Sequence, residues 1–232
     1  MKIGVFAYNF KHKKTQEGLL HLFLNNINVD CIFAADPVEL KFYQSKIRIS
    51  PRGLMYIHPS QIAKRLDIPY YVVAHNDNEC SDLIKKHNLD LGIILGARIL
   101  KENIIDSFNL GVLNLHPGLL PENRGLDNQK WAILKEIKQG VTAHLIDKYI
   151  DKGKVILRKE VDVYEDDSLV DVFLRIQNTE LDLMIDAINM LSAGKFDSID
   201  VNSEFSFKAV SQEEEEGLLD LFEKYKKKYK YI

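Results

Sequence analysis

The chain has 232 residues, 46% hydrophobic and 28% charged, with a formal net charge of −3. That size can bury a substantial core, and the charge balance gives no bulk electrostatic drive toward nucleic acid or an anionic membrane. No apolar stretch approaches a membrane span, and the opening "MKIGVFAYNF" turns polar too soon for a secretory leader, so a cytoplasmic protein is expected. Cys31 and Cys80 form no CxxC pair and read as buried, neutral thiols in a reducing compartment.

Residues 2–8, "KIGVFAY", read as a buried first strand, and Thr15 is placed to cap a helix through "QEGLLHLFLNN". Residues 29–35 read as a second strand, followed by a polar, irregular stretch that carries no assignable periodicity. Ser60 is expected to cap a helix over "SQIAKRLD". Residues 68–74 are rich in strand formers, 78–88 read as a helix, and 90–96 as a strongly apolar strand. "KENIIDSF" is a short helix and 111–116, "GVLNLH", the next strand. Residues 126–139 read as a helix with Trp131, Ile133, Leu134 and Ile137 on or near one face. Residues 140–147 and 154–163 read as two strands of a hairpin. Asp167 or Ser168 caps a long helix that Gly194 closes. From about residue 196 the pattern loosens, then "SQEEEEGLLDLFEKYKKKYKYI" reads as a terminal helix whose acidic start and basic end suit its dipole. Its lysine run reads as a solvated helix end, and Leu218, Leu219, Leu221 and Phe222 suit either a core or a dimer interface.

Apolar strands alternating with helices predict an α/β fold: an open, mostly parallel, doubly wound, Rossmann-like sheet flanked by helices, with an added hairpin and a short C-terminal extension. The main domain is expected over 1–195 and the extension over 196–232. Such sheets bind ligands beyond the carboxyl ends of their strands. Asn114 and His116 stand two apart at such an end, on one face. An amide and an imidazole placed there can stabilise an oxygen that becomes negative during reaction; satisfied polar groups at a strand terminus are the structural alternative. Downstream, "VTAHLIDKYIDKG" adds His144, Asp147 and Asp151, the last on a turn from which a carboxylate can reach back to an imidazole. Spacing alone does not bring Asp151 to His116. No GxGxxG, GxxxxGK[ST] or GxSxG motif is present, and no compact histidine pair suggests a metal.

"LGVLNLHPGLLPENRG" followed by "GVTAHLIDKYIDKGKVI" resembles the folate-dependent formyltransferase family, which includes glycinamide ribonucleotide transformylase, methionyl-tRNA formyltransferase and the sugar N-formyltransferases. The pattern N-x-H-x-x-x-L-P, T-x-H, D-x-G is met by Asn114, His116, Leu120, Pro121, Thr142, His144, Asp151 and Gly153. The resemblance implies Asn114, His116 and Asp151 as the catalytic trio, N10-formyltetrahydrofolate as the donor, and no metal. It implies donor-binding positions at Arg98, Leu100, His144, Ile146, Asp147, Lys148, Tyr149 and Ile150, with His144 equally readable as strand packing.

For the acceptor, the loop after the first strand, "AYNFKHKKTQEG", lacks the glycine cluster that cradles phosphate in glycinamide ribonucleotide transformylase. Only a short tail stands where the methionyl-tRNA enzyme carries a further barrel domain, so a tRNA acceptor is not expected. "HPGLLPENRGLDNQKWAI" looks closest to the sugar N-formyltransferases, which implies a small-molecule amine on a nucleotide-linked sugar. Candidate acceptor contacts are Tyr8, Asn9, Lys14, Pro117, Gly118, Glu122, Asn123 and Arg124, with Lys41, Lys46, Arg48 and Arg52 available to a diphosphate. Formyl transfer to another amine, glycinamide ribonucleotide included, and formyltetrahydrofolate hydrolysis are the alternatives. A homodimer is compatible with the resemblance.

Overall fold

The computed structural model describes residues 1–39, 45–149, 151, 153–196, 199–201 and 205–229. Among the described residues eight strands form one sheet: β1 (Ile3–Tyr8), β2 (Cys31–Ala35), β3 (Tyr70–Val72), β4 (Leu91–Ile94), β5 (Gly111–His116), β6 (Gly140–Leu145), β7 (Lys154–Glu160) and β8 (Ile199–Asp200). Their spatial order is β3-β2-β1-β4-β5-β6-β7-β8. The pairings from β3 to β5 are parallel, and those from β5 to β8 antiparallel. The predicted open, mostly parallel sheet is therefore present, and the predicted hairpin is β6–β7.

Alternation along β1 divides the core into two layers. Ile3, Val5 and Ala7 pack with α1 (Lys13–Leu24), α2 (Pro59–Arg65) and the long α6 (Leu169–Ala193). Phe6 points the other way, with Phe33, Ile84 of α3 (Asn78–His87) and Ile104 of α4 (Glu102–Ile105). Burying such a side chain stabilises by roughly 1.5–3 kcal/mol relative to leaving it in water. Cys31 and Cys80 are buried, free thiols in the second layer, and burial pushes both up to about 12. No helix among the described residues is long and apolar enough to cross a membrane.

Several boundaries differ from the sequence reading, each for a local reason. Helix α1 begins at Lys13 after His12; Thr15 lies within its first turn and spends its hydroxyl on Leu95 O (3.1 Å), so it is not the cap. His58, not Ser60, caps α2, accepting from Ser60 N, with Pro59 in the first turn where it has no hydrogen bond to lose. Strand β3 shortens to three residues at the sheet edge, where it pairs on the β2 side alone. Helix α5 (Asn128–Leu134) ends well before residue 139 because Glu136 takes a positive φ of 50°. Ser168 does cap α6, through a capping box with Asp171, and Gly194 ends it at φ 62°.

The terminal helix divides into α7 (Gln212–Glu215) and α8 (Leu218–Tyr229), separated at Gly217 with φ 78°. Leu218 and Phe222 are buried, while Leu219 and Leu221 face solvent, so the predicted apolar group splits between core and surface. Helix α8 packs back on the main sheet domain: Tyr225 OH donates to Ile137 O (2.6 Å) and Lys226 Nζ to Asp167 O (3.0 Å).

Candidate active site

Strand β5 carries Asn114 and His116 to its carboxyl end on one face of the sheet. Antiparallel β6 lies beside it, in a register that sets His144 opposite Asn114 and Thr142 opposite His116. Asn114 Nδ2 and His144 Nε2 are 3.1 Å apart. An amide nitrogen only donates, so His144 Nε2 accepts. The turn between β6 and β7 then returns Asp151 to the same place, with a positive φ of 49° that a short polar side chain tolerates. Asp151 Oδ1 lies 3.5 Å from His116 Nδ1 and 3.8 Å from His144 Nε2, and Oδ2 accepts from Gly125 N at 3.3 Å. The predicted Asn114, His116 and Asp151 thus meet, and His144 joins them.

The electrostatics of this cluster follow from burial and neighbours. Desolvation, helped by the nearby His116 and only partly opposed by Asp151, lowers His144 to about 4. His144 is therefore neutral at physiological pH. Burial by itself would raise the Asp151 carboxyl, but its hydrogen bond with His116, the charges of His116 and His144 and the Gly125 N–H together hold it below the ordinary value. Asp151 is a partly buried carboxylate that stays ionised. His116, 3% exposed, places Nε2 2.8 Å from Asn123 O. A carbonyl only accepts, so Nε2 donates and Nδ1 is the nitrogen turned toward Asp151.

The loop from Pro117 to Asp127 (a half-buried proline opens it) is pinned from several sides. Thr142 Oγ1 donates to Gly118 O (2.7 Å) and accepts from Leu120 N (3.0 Å). Only glycine fits at 118, where a Cβ would lie 2.6 Å from Asn123 O and 3.0 Å from His116 Nε2. Residues 205–210 of the extension run alongside the loop's far end. Phe207 N donates to Arg124 O and Leu126 N to Phe207 O, while Arg124 Nη1 donates to Phe205 O. Trp131 stacks on Phe207 at 4.6 Å and donates to Lys208 O (2.7 Å). The sequence carries little sign of this strap, because most of its hydrogen bonds use its backbone atoms.

Asn114 and Asp151 open into a pocket of about 170 Å³, also lined by Arg98, Leu100, Ile146, Asp147 and Tyr149. Those five were named from the sequence; Ile150 lies outside the described residues. Lys148 instead turns to Glu102 (3.3 Å) at the surface. The pocket meets a larger cleft of about 680 Å³ at Arg98, on whose wall Tyr8 stands with its hydroxyl donating to Ala97 O (2.9 Å). Apolar walls with a carboxylate and an amide at the floor suit a flat, polar heterocycle.

The residues suggested for the acceptor are scattered more widely. Asn9 donates to Asp36 (2.7 Å) and accepts from Tyr70 OH (2.8 Å). Lys14 pairs with Glu180 (2.8 Å) and donates to Leu115 O (3.1 Å). Glu122 pairs with Arg158 at the surface (3.0 Å). Asn123 and Arg124 are 1% and 7% exposed and serve the loop itself. Of the cations suggested for a diphosphate, Arg48 and Arg52 are exposed, Lys46 is tied through its backbone N–H to Glu215, and Lys41 lies outside the described residues.

A doubly wound α/β sheet with an Asn–His–Asp cluster at its strand ends defines the class of protein. Residues 50–188 match the formyl transferase family model, and the chain belongs to that family. A curated relative, the methionyl-tRNA formyltransferase of Chlorobium chlorochromatii, is 26% identical over 153 residues, 65% of this chain and 49% of that protein. The chain spans about half the length of the curated relatives it matches. Among solved structures, phosphoribosylglycinamide formyltransferase from Anaplasma phagocytophilum is similar over 89% of this chain and 96% of its own, at a TM-score of 0.64 and 20% identity. A formyltransferase from Anoxybacillus kamchatkensis, in complex with UDP-4,6-dideoxy-4-formamido-L-AltNAc and tetrahydrofolate, is similar over 91% and 88% at a TM-score of 0.57 and 19% identity. At these identities the likeness is one of fold.

Proposed function

We propose that this protein is a folate-dependent N-formyltransferase whose acceptor is the primary amine of a nucleotide-linked amino sugar. The observation that carries the reading is the convergence of Asn114, His116 and Asp151 beside a pocket that Arg98, Leu100, Ile146, Asp147 and Tyr149 also line. The donor, N10-formyltetrahydrofolate, supplies the formyl group, and those five residues hold its heterocycle. Asn114 spends one amide hydrogen on His144 and directs the other to the formyl oxygen. With Nε2–H held by Asn123 O, the Nδ1–H of His116 supplies the second hydrogen bond as that oxygen becomes negative; each such donor typically lowers the barrier by a few kcal/mol. Asp151 keeps its negative charge, stabilises the proton on His116 Nδ1 and takes up the proton that the attacking amine releases. The formyl carbon's bond to N10 then breaks, and tetrahydrofolate leaves with that proton on N10.

The sugar acceptor is favoured over a phosphate monoester because two lysines at the start of α1 are already paired: Lys13 with Glu17 and Lys14 with Glu180. Glu122, Arg48 and Arg52 are exposed and would contact the sugar and diphosphate. A cytoplasmic location belongs to the same proposal, since the donor is a soluble metabolite, as does a homodimer through exposed Leu219 and Leu221.

The test is incubation with N10-formyltetrahydrofolate and a panel comprising amino-sugar nucleotides, glycinamide ribonucleotide and methionyl-tRNA, with formylated product read by mass spectrometry. Product from an amino-sugar nucleotide alone is expected. Formylation confined to glycinamide ribonucleotide or to methionyl-tRNA would replace the acceptor, and folate turnover without any acceptor would make the protein a hydrolase.

A further inference from the structure

The loop after β5 closes on itself through two amides. Asn123 Nδ2 donates to the backbone oxygen of Asn128 (2.8 Å), and Asn128 Nδ2 donates to the backbone oxygen of Asn123 (2.8 Å). Asn128 Nδ2 also lies 3.4 Å from Asn123 Oδ1. The pair is sealed from water, with Asn123 1% and Asn128 5% exposed. The oxygen that Asn128 holds, Asn123 O, is the same one that accepts Nε2–H of His116 at 2.8 Å. A carbonyl has two lone pairs, so it can serve both donors at once.

Two properties of the imidazole depend on that oxygen. The first is the Nε2–H hydrogen: a fixed carbonyl at Nε2 holds a proton there, while the ionised Asp151 carboxylate, an acceptor only, holds the proton on Nδ1. The second is direction. The ring is clamped between Asn123 O on one side and Asp151 Oδ1, 3.5 Å from Nδ1, on the other. Gly118 crosses close beside the clamp, so the loop has little room to re-form it elsewhere.

We propose that Asn128 is a positioning residue: by anchoring the Asn123 carbonyl it fixes the Nε2–H hydrogen bond and the aim of His116. Asn128 itself touches neither the pocket nor the reacting atoms. Its effect on turnover rests on the formyl-transfer reading; its effect on the ring does not.

The experiment therefore has two arms. In the first, histidine is labelled with nitrogen-15, the His116 ring is assigned by comparison with His116→Gln, and the Nε2–H signal and its exchange with water are read. The intact protein is expected to show a hydrogen-bonded, slowly exchanging Nε2–H. Asn128→Ala and the isosteric Asn128→Asp, which cannot donate, are expected to lose that signal or exchange it at least tenfold faster. In the second arm, both variants are expected to lower kcat about tenfold to a hundredfold, because small misplacements of a reacting group cost that much. KM for donor and acceptor should stay within about twofold. Variants that keep the slowly exchanging Nε2–H overturn the proposal, as does an intact protein that lacks it. If Asn128→Ala does not fold, Asn128→Asp and the spectrum of the intact protein still decide. Loss of the Nε2–H signal in the variants together with an inactive intact protein would support the positioning role and reject the formyl-transfer reading.

Discussion

At the residue scale, His144 and Asp151 show how burial sorts neighbouring ionisable groups. His144 is 0% exposed and lowered to about 4, so the folded state binds fewer protons than the unfolded state between pH 6.5 and about 4. Stability must therefore fall as pH drops through that window, by about 3 kcal/mol at its acid end. His12 and His75, also lowered by burial, add to the trend with the same sign. The contribution of Asp151 lies at lower pH: its depressed carboxyl stabilises the fold above the unfolded value and loses that effect as pH falls through the folded one. Replacing His144 with Gln should flatten the dependence of Tm on pH between 6.5 and 4, measured by thermal unfolding; an unchanged slope would show that His144 does not carry it. Asp151→Asn keeps a residue that tolerates the positive φ while removing the charge. Its kcat for formyl transfer should drop about a hundredfold or more, with folding preserved. Steady-state kinetics beside circular dichroism would check this.

At the scale of elements, the catalytic-side loop is built by close contacts that a single methyl group disturbs. Gly125 has a φ of 112°, and a Cβ there would lie 2.1 Å from Phe207 O. Gly125→Ala should push the 205–210 strap away and loosen the Gly125 N–H from Asp151. We expect a loss of roughly 2–4 kcal/mol, the range of strained-backbone and broken-network mutants, in a urea titration. The cap of α6 offers a milder comparison. Ser168→Ala removes the side-chain half of its capping box and should cost about 1 kcal/mol without changing the ring spectrum of His116.

At the scale of the whole molecule, the extension is held to the domain by a buried ion pair. Lys130 of α5 and Glu215 of α7 pair with side-chain exposures of 3% and 4%, and Ser45 joins both. Cutting one partner leaves the other charged in a dry site. Glu215→Leu should therefore cost about 3–5 kcal/mol, whereas the double change Lys130→Met with Glu215→Leu should recover most of it. Denaturant unfolding of the three variants gives the answer as a double-mutant cycle. Equal losses in the single and double variants would mean that the pair's packing, not its charge, matters.

The sequence by itself determined the alternation of apolar strands and helices, and with it the parallel sheet, because period-two and helical patterns are local properties. It determined that Asn114 and His116 share a face, since that needs only the pleat of one strand. It also carried the family pattern through which Asp151 was named. It did not determine the shift of the α2 cap from Ser60 to His58 or the early end of α5 at Glu136, because these rest on single backbone torsions that many residues can adopt. The tertiary structure alone decided that His144 stands opposite Asn114, through antiparallel register, and that a turn returns Asp151 to His116. It alone decided that Asn123 and Arg124 face inward, and that Asn128 and the 205–210 strap hold the loop. Those contacts join residues distant in sequence, largely through backbone N–H and C=O groups, which every residue carries and no side-chain pattern records.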